Sequence, residues 1–337
     1  MIRNAELRDI AKILKEADSI LLFPHENADG DAVGSCVALC KALSELGKEA
    51  SVVTGEPLSE YTSFIDSPEN ERDRCCFSYM DFVGEVMPRS ESSKSYDVCI
   101  CLDCSEYKRI KGREKLFDSG KARVCIDHHL VDQSFGDYWY IDSAEAAASQ
   151  IVYKLLVELG VMNRSIANAL YTGISSDTGN FKYSNTTPET LRIAANLLDI
   201  GIDHNDIIVK LYQSKDPRQL SLESKAIEAM RISPEGKVAI TAVTLEMMEE
   251  CQALPEHAEA VINILRDIAG VEYAIVLKER SPELVKVSMR AKSYGNVANI
   301  AKALGGGGHV KAAGANMECS LAEAMDKVKE EIAKYIY

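Results

Sequence analysis

The stretch SILLFPHENADGD, residues 19–31, places potential metal ligands directly after an apolar run. The run Ser19–Phe23 predicts a buried strand, and residues 33–46 predict a helix. Two aspartates so close together would repel each other unless a cation lay beside them, which favours a metal site. A surface turn with one capping aspartate is the alternative, because Asp-Gly pairs are common in turns. The candidate ligands in this stretch are His25, Asp29 and Asp31.

The composition indicates a globular protein of two domains. A chain of 337 residues is too long for one ordinary core, and 46% hydrophobic with 27% charged residues is a usual globular mixture. The net charge of −14 argues against a protein that coats long double-stranded nucleic acid, but it allows a small anionic substrate whose charge is met by bound cations. Residues 1–17 lack the apolar core of a signal peptide, and no apolar run has membrane-spanning length. We therefore expect a cytoplasmic protein without a membrane partner.

The ten cysteines are predicted to be reduced thiols. Cys99 and Cys101 alternate along an apolar segment, as buried small side chains do. A zinc site would need a second cysteine pair at zinc-finger spacing, and Cys75-Cys76 does not supply one.

Two further apolar runs end on acidic or imidazole side chains. Residues 96–102 lead into Asp103, and residues 122–126 lead into Asp127-His128-His129. Continuous apolar strands that alternate with helices predict a parallel sheet covered on both faces. Ligands collect beyond the carboxyl ends of such strands, so the sequence predicts a metal site there.

The remaining segments predict helices in the middle of the chain and a second α/β domain after it. We expect helices at residues 144–159, 164–171, 187–199 and 206–211, and a Gly-bracketed break at residues 173–181 around Asp177. Strands are expected at residues 238–243, 273–277 and 285–289, followed by a closing helix at residues 321–335. The predicted domains are residues 1–190, a helical linker at residues 191–220, and residues 221–337, with a boundary near Asp216-Pro217.

A glycine-rich, acid-free window in the second half suggests an anion site. Residues 284–317 contain no acid, yet they carry five basic residues, among them Arg290, and the run Gly305–Gly308 followed by His309. Consecutive glycines let backbone amides approach an anion closely. A flexible loop with incidental lysines is the alternative.

Taken together, these motifs resemble those of the DHH phosphoesterase superfamily, and the window with Arg290 and the glycine run resembles its DHHA1 domain. The resemblance covers essentially the whole chain and is nearest to the stand-alone NrnA-like group. It implies a parallel-sheet catalytic domain with helices on both faces, a helical connector and a smaller α/β substrate-binding domain. The implied ligands of one metal ion are His25, Asp29 and Asp103, and those of a second are Asp31, Asp103, His128 and Asp177.

The resemblance also implies roles for the neighbouring residues. His129 would contact the scissile phosphate, with Asp127 as a carboxylate that orients a ligand histidine. A phosphate at the far end of the substrate would be bound by Arg290, Gly306, Gly307, Gly308 and His309. Arg109 is a further candidate for phosphate contact, with a solvent-facing arginine as the equal alternative. His204 and His257 are expected at the surface.

The implied activity is hydrolysis of nano-RNA and linear dinucleotides to mononucleotides, and of 3′-phosphoadenosine 5′-phosphate (pAp) to AMP. Mixed carboxylate and imidazole ligands suit two Mn²⁺ ions, with Mg²⁺ as the other choice. The alternative within the enzymes is a cyclic or linear dinucleotide phosphodiesterase acting on c-di-AMP or pApA. A non-catalytic nucleotide sensor is the alternative from another class, although an intact ligand set argues against it. The sequence leaves open the preferred substrate, the direction of attack and a possible homodimer.

Overall fold

The computed structural model describes residues 2–26, 28–54, 95–131, 133–308 and 310–336. The chain forms two compact units, and the first ends at Ser214 and the second begins at Lys215. The sequence also predicts a polar loop with a short helix at residues 55–74 and a polar surface connection at residues 88–95. These segments, apart from residue 95, lie outside the described residues, and so does His309.

A six-stranded sheet forms the centre of the first unit, in the order β1-β6-β5-β4-β2-β3. Its strands are β1 (Ile2–Arg3), β2 (Ser19–Phe23), β3 (Glu49–Val52), β4 (Val98–Leu102), β5 (Ala122–Asp127) and β6 (Tyr138–Ile141). The five strands β2 to β6 run parallel, and β1 pairs antiparallel with β6. The predicted parallel sheet is confirmed, because β2, β4 and most of β5 are buried on both faces as their continuous apolar runs require.

Helices cover both faces of this sheet. They are α1 (Leu7–Glu16), α2 (Gly30–Glu45), α3 (Glu114–Asp118), α4 (Ala148–Leu159), α5 (Arg164–Asp177), α6 (Pro188–Asp199) and α7 (His204–Tyr212), with a 3₁₀ turn at Tyr107–Ile110. One apolar core lies between the sheet and the layer of α1, α2, α4 and α5, and a smaller core lies on the other face around Phe23 and Phe117.

Helix α5 is longer than predicted, because Gly173 belongs to the helix rather than to a break. A Cβ at Gly34 of α2 would lie 2.7 Å from the carbonyl oxygen of Ala169 and 3.0 Å from the nitrogen of Gly173. The two helices therefore pack with their backbones almost in contact, which only glycines permit. The chain leaves the helix after Asp177, where Gly179, Asn180 and Phe181 take positive φ angles of 55°, 59° and 62°.

The second unit contains a six-stranded mixed sheet in the order β11-β12-β10-β9-β8-β7. Its strands are β7 (Arg231–Ile232), β8 (Val238–Val243), β9 (Tyr273–Ser281), β10 (Leu284–Ala291), β11 (Gly307–Gly308) and β12 (Ala312–Met317). Its helices are α8 (Pro217–Glu228), α9 (Leu245–Glu250), α10 (Val261–Asp267), α11 (Val297–Ala303) and α12 (Leu321–Ile332), with 3₁₀ turns at Pro255–Glu259 and Ala333–Tyr335. Strands β8 and β9 run parallel, and the other pairs are antiparallel.

The structure also bears on the predictions for the cysteines, for His204 and His257, and for membrane-spanning helices. The eight cysteines in the described residues are free thiols, while Cys75 and Cys76 lie outside them. His204 is exposed, as expected, but the prediction for His257 was wrong: it is buried, and its Nδ1 accepts a hydrogen bond from the Leu254 nitrogen at 3.1 Å. A polar sequence context does not reveal such a hydrogen bond. No helix in the described part of the chain combines the length and apolarity needed to span a bilayer.

Candidate metal centre

The acidic and imidazole residues singled out in the first unit converge at the carboxyl ends of β2, β4 and β5. These strands are neighbours in the sheet and run parallel, so the segments that follow them emerge at one edge. His25 follows β2, Asp103 follows β4, and Asp127 ends β5. The first turn of α2 and the last residue of α5, Asp177, complete the site.

One cluster of ligand atoms is formed by His25, Asp29 and Asp103, whose candidate atoms all lie within 4.8 Å of one another. His25 Nε2 lies 3.3 Å from Asp103 Oδ2 and 3.8 Å from Asp29 Oδ2. The geometry brings together the three residues that the family resemblance assigns to the first ion.

A second cluster is formed by Asp31, His128 and Asp177, again within 4.8 Å. His128 Nε2 lies 3.2 Å from Asp177 Oδ2 and 3.9 Å from Asp31 Oδ2. The same nitrogen lies 3.4 Å from Asp103 Oδ1. The two oxygens of Asp103 therefore face the two clusters, one oxygen towards each.

Asp103 is held in place by its backbone. Its φ is +56°, a left-handed conformation that costs a non-glycine residue on the order of 1–3 kcal/mol. Its nitrogen donates a hydrogen bond to the Ile126 carbonyl of the neighbouring strand segment at 3.0 Å. The buried Oδ1 accepts no hydrogen bond from the described residues, although imidazole nitrogens of His128 and His129 lie 3.4 and 3.2 Å away. A strained, buried carboxylate with such an oxygen is typical of a functional site.

The geometry of Asp29 is compatible with both roles that its sequence context suggested. Its Oδ1 accepts hydrogen bonds from the Asp31 and Ala32 nitrogens, both at 3.1 Å, and so caps α2. Its Oδ2 faces His25. The capping interpretation and the metal interpretation are therefore compatible, because the carboxylate has two oxygens.

Asp31 is fully buried at the amino end of α4. Its oxygens accept hydrogen bonds from the Ala148 and Ser149 nitrogens at 2.5 and 2.9 Å. These groups belong to the positive end of the helix dipole and stabilise a negative charge. Even so, burial and the negative charge of Asp103 raise the pKa of Asp31 to about 7. The carboxylates in this pocket thus carry more negative charge than the protein groups around them offset.

Asp127 organises the turn that carries the two histidines. Its Oδ1 accepts hydrogen bonds from the backbone nitrogens of His128 and His129 at 2.6 and 3.1 Å. The same oxygen lies 2.7 Å from His129 Nδ1, so its ring contact is with His129 and not with His128. Asp127, His128, His129 and Asp103 also form a group of ligand atoms within 4.8 Å.

The donor set fits divalent cations. Burial acts to lower the pKa of His25 and His128, but contact with Asp103 and the other carboxylates outweighs it and raises both pKa values. The carboxylates around these two rings therefore favour positive charge at this position. A divalent ion at each cluster would offset this carboxylate charge, and Asp103 would offer one oxygen to each cluster. Imidazole and carboxylate together suit Mn²⁺ and related ions.

Two residues beside the site were not identified from the sequence. Asn185 Nδ2 donates hydrogen bonds to the carbonyls of Ala146 and Asp177 at 3.0 and 3.1 Å, which ties the end of α5 to the start of α4. A Cβ at Gly173 would lie 2.8 Å from Asp31 Oδ1 and 2.0 Å from Ser149 Oγ. The glycine pair in α2 and α5 was visible in the sequence, but its contact with Asp31 depends on helix packing.

The structure describes two of the three remaining candidates. Arg109 is half-buried in the 3₁₀ turn, and its carbonyl accepts a hydrogen bond from the Glu26 nitrogen at 2.8 Å, which supports the loop after β2. Arg290 lies on β10 opposite Ala312 of β12. His309 lies outside the described residues.

The last two glycines of the run, Gly307 and Gly308, form strand β11, which pairs with β12. A Cβ at Gly306 would lie 2.1 Å from the Gly314 carbonyl oxygen, and one at Gly308 would lie 2.6 Å from the Ala312 carbonyl oxygen. A Cβ at Gly307 would meet nothing within 4 Å. Gly306 and Gly308 are therefore required by the close approach to β12, whereas the space beside Gly305 and Gly307 is open.

Comparison with known proteins agrees with this architecture. Residues 19–174 match the model of the DHH family, N-terminal domain, and residues 235–337 match that of the DHHA1 domain. The bifunctional oligoribonuclease and PAP phosphatase NrnA of Thermus thermophilus is 33% identical over 330 residues, covering 97% of this chain and 93% of the relative. The protein of the same name from Bacillus subtilis is 24% identical over 317 residues, covering 92% of each chain.

Among solved structures, an exopolyphosphatase-related protein from Bacteroides fragilis superposes with a TM-score of 0.83 at 24% identity, covering 98% of this chain and 96% of that one. This likeness concerns the fold. Both domain models and a relative of similar length lead to one conclusion: the chain belongs to the DHH family of phosphoesterases, in the NrnA-like group that carries a C-terminal DHHA1 domain.

Proposed function

We propose that this chain is a metal-dependent phosphoesterase that hydrolyses short oligonucleotides to mononucleotides and pAp to AMP. The observation that carries the proposal is the position of Asp103, whose two oxygens face two separate clusters of imidazole and carboxylate groups. The names of the Thermus and Bacillus relatives support the substrate class.

The residues proposed to hold the metal are those of the two clusters. His25, Asp29 and Asp103 would bind one ion, and Asp31, His128, Asp177 and Asp103 would bind the other. We propose Mn²⁺ for both, with Mg²⁺ as the alternative. Bound divalent ions would supply an activated water and neutralise charge on the phosphate.

The protein residues act by holding this arrangement before the substrate arrives. The backbone of Asp103 fixes its carboxylate, the first turn of α4 holds Asp31, and Asp127 orients the ring of His129 through Nδ1. The contact of Asp127 Oδ1 with Nδ1 fixes the orientation of the His129 ring, which we propose lies beside the scissile phosphate. Preorganised groups of this kind lower the barrier because they need not reorganise during the reaction.

We propose that the second unit recognises the substrate. Arg290, the backbone at Gly306–Gly308 and His309 would bind a phosphate of the nucleotide. Arg109 is proposed as a phosphate contact of the first unit. The acid-free character of residues 284–317 supports an anionic ligand on this unit.

The test is an activity panel with purified full-length protein and Mn²⁺. The substrates are pAp, pApA, RNAs of increasing length from dinucleotides upward, and c-di-AMP. Release of AMP from pAp and of mononucleotides from dinucleotides is the expected result. Preference for c-di-AMP would favour the phosphodiesterase alternative, and failure to hydrolyse any member would overturn the proposal.

Asp103→Asn is the matched variant for the metal site. It should lower hydrolysis by at least about 100-fold, because it removes charge from both clusters at once, whereas loss of an outer partner typically costs about 10–100-fold. Nucleotide binding by the second unit should persist. The control is Asp199→Asn, an exposed residue at the end of α6. Activity that survived Asp103→Asn would remove this carboxylate from the mechanism.

A further inference from the structure

Asn185 links two segments that carry parts of the second cluster. It lies in the turn between α5 and α6, two residues before Thr187, which caps α6. Its Nδ2 donates one hydrogen bond to the Ala146 carbonyl at 3.0 Å and one to the Asp177 carbonyl at 3.1 Å. An amide nitrogen carries two protons, so both donors are used. Because both partners are carbonyl oxygens, only the nitrogen end of the amide can face them.

The first of these carbonyls belongs to the segment that leads into α4, and α4 holds Asp31. Ala146 lies just before Ala148 and Ser149. The backbone nitrogens of Ala148 and Ser149 donate hydrogen bonds to the buried carboxylate of Asp31 at 2.5 and 2.9 Å. A shift of Ala146 would therefore carry the donors of Asp31 with it.

The second carbonyl belongs to a residue of the cluster itself. Asp177 is the last residue of α5, and its Oδ2 lies 3.2 Å from His128 Nε2. That nitrogen lies 3.9 Å from Asp31 Oδ2. Carbonyls in the last turn of a helix have no partner within the helix, so the amide of Asn185 supplies one for Asp177. The hydrogen bond thus holds the backbone of this residue where the regular helix ends.

The turn that carries Asn185 folds tightly on itself. The backbone nitrogens of Lys182 and Tyr183 both donate to the Thr178 carbonyl at 3.0 Å. A Cβ at Gly179 would overlap the ring of Tyr183. Asn185 therefore follows a closely packed turn and provides a fixed support for its two partners.

The other end of the Asn185 amide is buried. Its Oδ1 accepts no hydrogen bond within the described part of the chain. A buried acceptor without a partner lowers stability, and such groups are typical of functional sites. Aspartate at this position would have no proton for either carbonyl and would add negative charge to a pocket already rich in carboxylates. An uncharged side chain with two donors fits this position.

We propose that Asn185 is a positioning residue of the second cluster, which fixes Asp177 relative to Asp31 so that a divalent ion meets a preformed site. The inference rests on the proposed function and deepens it, because it names a residue that supports the metal centre without binding the ion. Loss of such a partner typically lowers metal affinity or activity about 10- to 100-fold. The first cluster should keep its affinity.

The test is calorimetric titration of metal-free, full-length protein with Mn²⁺, in two backgrounds that separate the ions. His25→Ala removes a ligand of the first ion and leaves the second cluster intact, and Asp177→Asn does the reverse. In the His25→Ala background, Asn185→Ala should weaken binding of the remaining ion about 10- to 100-fold. In the Asp177→Asn background, the same substitution should leave the affinity unchanged within error.

Asn196→Ala is the matched control, because Asn196 Nδ2 on α6 donates a hydrogen bond to Tyr153 Oη of α4 at 3.0 Å. The loss of this link between helices should not change Mn²⁺ affinity in either background. Asn185→Ser keeps one donor, so it should lose less affinity than Asn185→Ala, and it carries the test if the alanine variant does not fold.

Equal weakening of both ions by Asn185→Ala, or weakening of neither, would overturn the proposal. A lower melting temperature of the metal-free protein without a selective change in affinity would also overturn it, since that result is expected of a purely structural residue. The wild-type hydrolysis panel reports separately on the proposed function. Hydrolysis of pAp and dinucleotides with no selective effect of Asn185→Ala would reject the positioning role alone.

Discussion

Asp103 Oδ2 lies 3.3 Å from His25 Nε2, across the ends of the neighbouring strands β4 and β2. The other oxygen of the same carboxylate faces His128, which follows the next strand, β5, so residues after three adjacent strands contribute to one site. A parallel sheet brings these ends together wherever its strands are adjacent, so the position of the site follows from the strand order.

Substitutions at Asp31 and Arg290 should affect different kinetic constants. Asp31→Asn should lower kcat by about 100-fold or more with a small change in KM, because it weakens a cluster needed for chemistry. Arg290→Gln should raise KM by about tenfold or more and change kcat less, because it removes a charged hydrogen bond to a bound phosphate. Steady-state kinetics with pAp measures both. The opposite pattern would mean that the roles of the two units are exchanged.

Asp127→Asn should reduce kcat about 10- to 100-fold and leave Mn²⁺ affinity within a few-fold of the wild type. The asparagine oxygen can still accept the backbone hydrogen bonds, but the charge that orients the His129 ring is lost. Mn²⁺ titration by calorimetry and kinetics on pAp separate the two effects. A parallel loss of Mn²⁺ affinity would instead identify Asp127 as a direct ligand, which its proximity to Asp103, His128 and His129 allows.

Gly173→Ala should destabilise the first unit and weaken metal binding together. The added methyl group would lie 2.0 Å from Ser149 Oγ and 2.8 Å from Asp31 Oδ1. Overpacking of this kind costs about 1–3 kcal/mol. Denaturant unfolding and Mn²⁺ titration are the measurements. Ser149→Ala removes the nearest atom, so the double variant should recover part of both losses. Additive losses in the double variant would show that the two positions do not interact.

The stability of the second unit should increase as the pH rises from about 8 towards the ordinary lysine range. Burial lowers the pKa of Lys278 to about 8, whereas in the unfolded chain this pKa stays near the ordinary lysine value of 10.5. Between these values the unfolded state binds more protons, so the free energy of unfolding rises with pH, by at most about 3 kcal/mol across the whole range.

Urea unfolding at several pH values between 7.5 and 10.5 or so, followed by subtraction of the curve for Lys278→Met, isolates this contribution. The variant leaves Glu259 paired with Arg280 and Lys286. A difference between the two proteins that stays flat across this range would contradict the shifted pKa of Lys278.

The metal centre was largely predictable from local sequence. Apolar runs that end on Asp103 and on Asp127-His128-His129 predict buried parallel strands, and buried parallel strands place their carboxyl ends at one edge. The family resemblance added the assignment of ligands to two ions. The structure brings together each of those first-unit residues, and the family membership is confirmed by the domain models.

Helix length and burial at single positions depended on contacts distant in sequence. Residues 173–181 predicted a break, but Gly173 lies within helix α5, where it packs closely against Gly34 of α2 and beside Asp31. His257 is buried because it hydrogen-bonds to the turn that it belongs to. The short strands β1, β6 and β11 have too few residues to show a pattern of their own, and they form by pairing with neighbours.

By itself the sequence determined the buried strands, the chemical nature of the ligands and the edge of the sheet at which they meet, because these follow from continuous apolar runs and from side-chain type. Only the tertiary structure decided which oxygen of Asp103 faces which histidine and which residue of β12 lies opposite Arg290. Those relations depend on backbone angles and on the register between strands, which side-chain patterns do not specify.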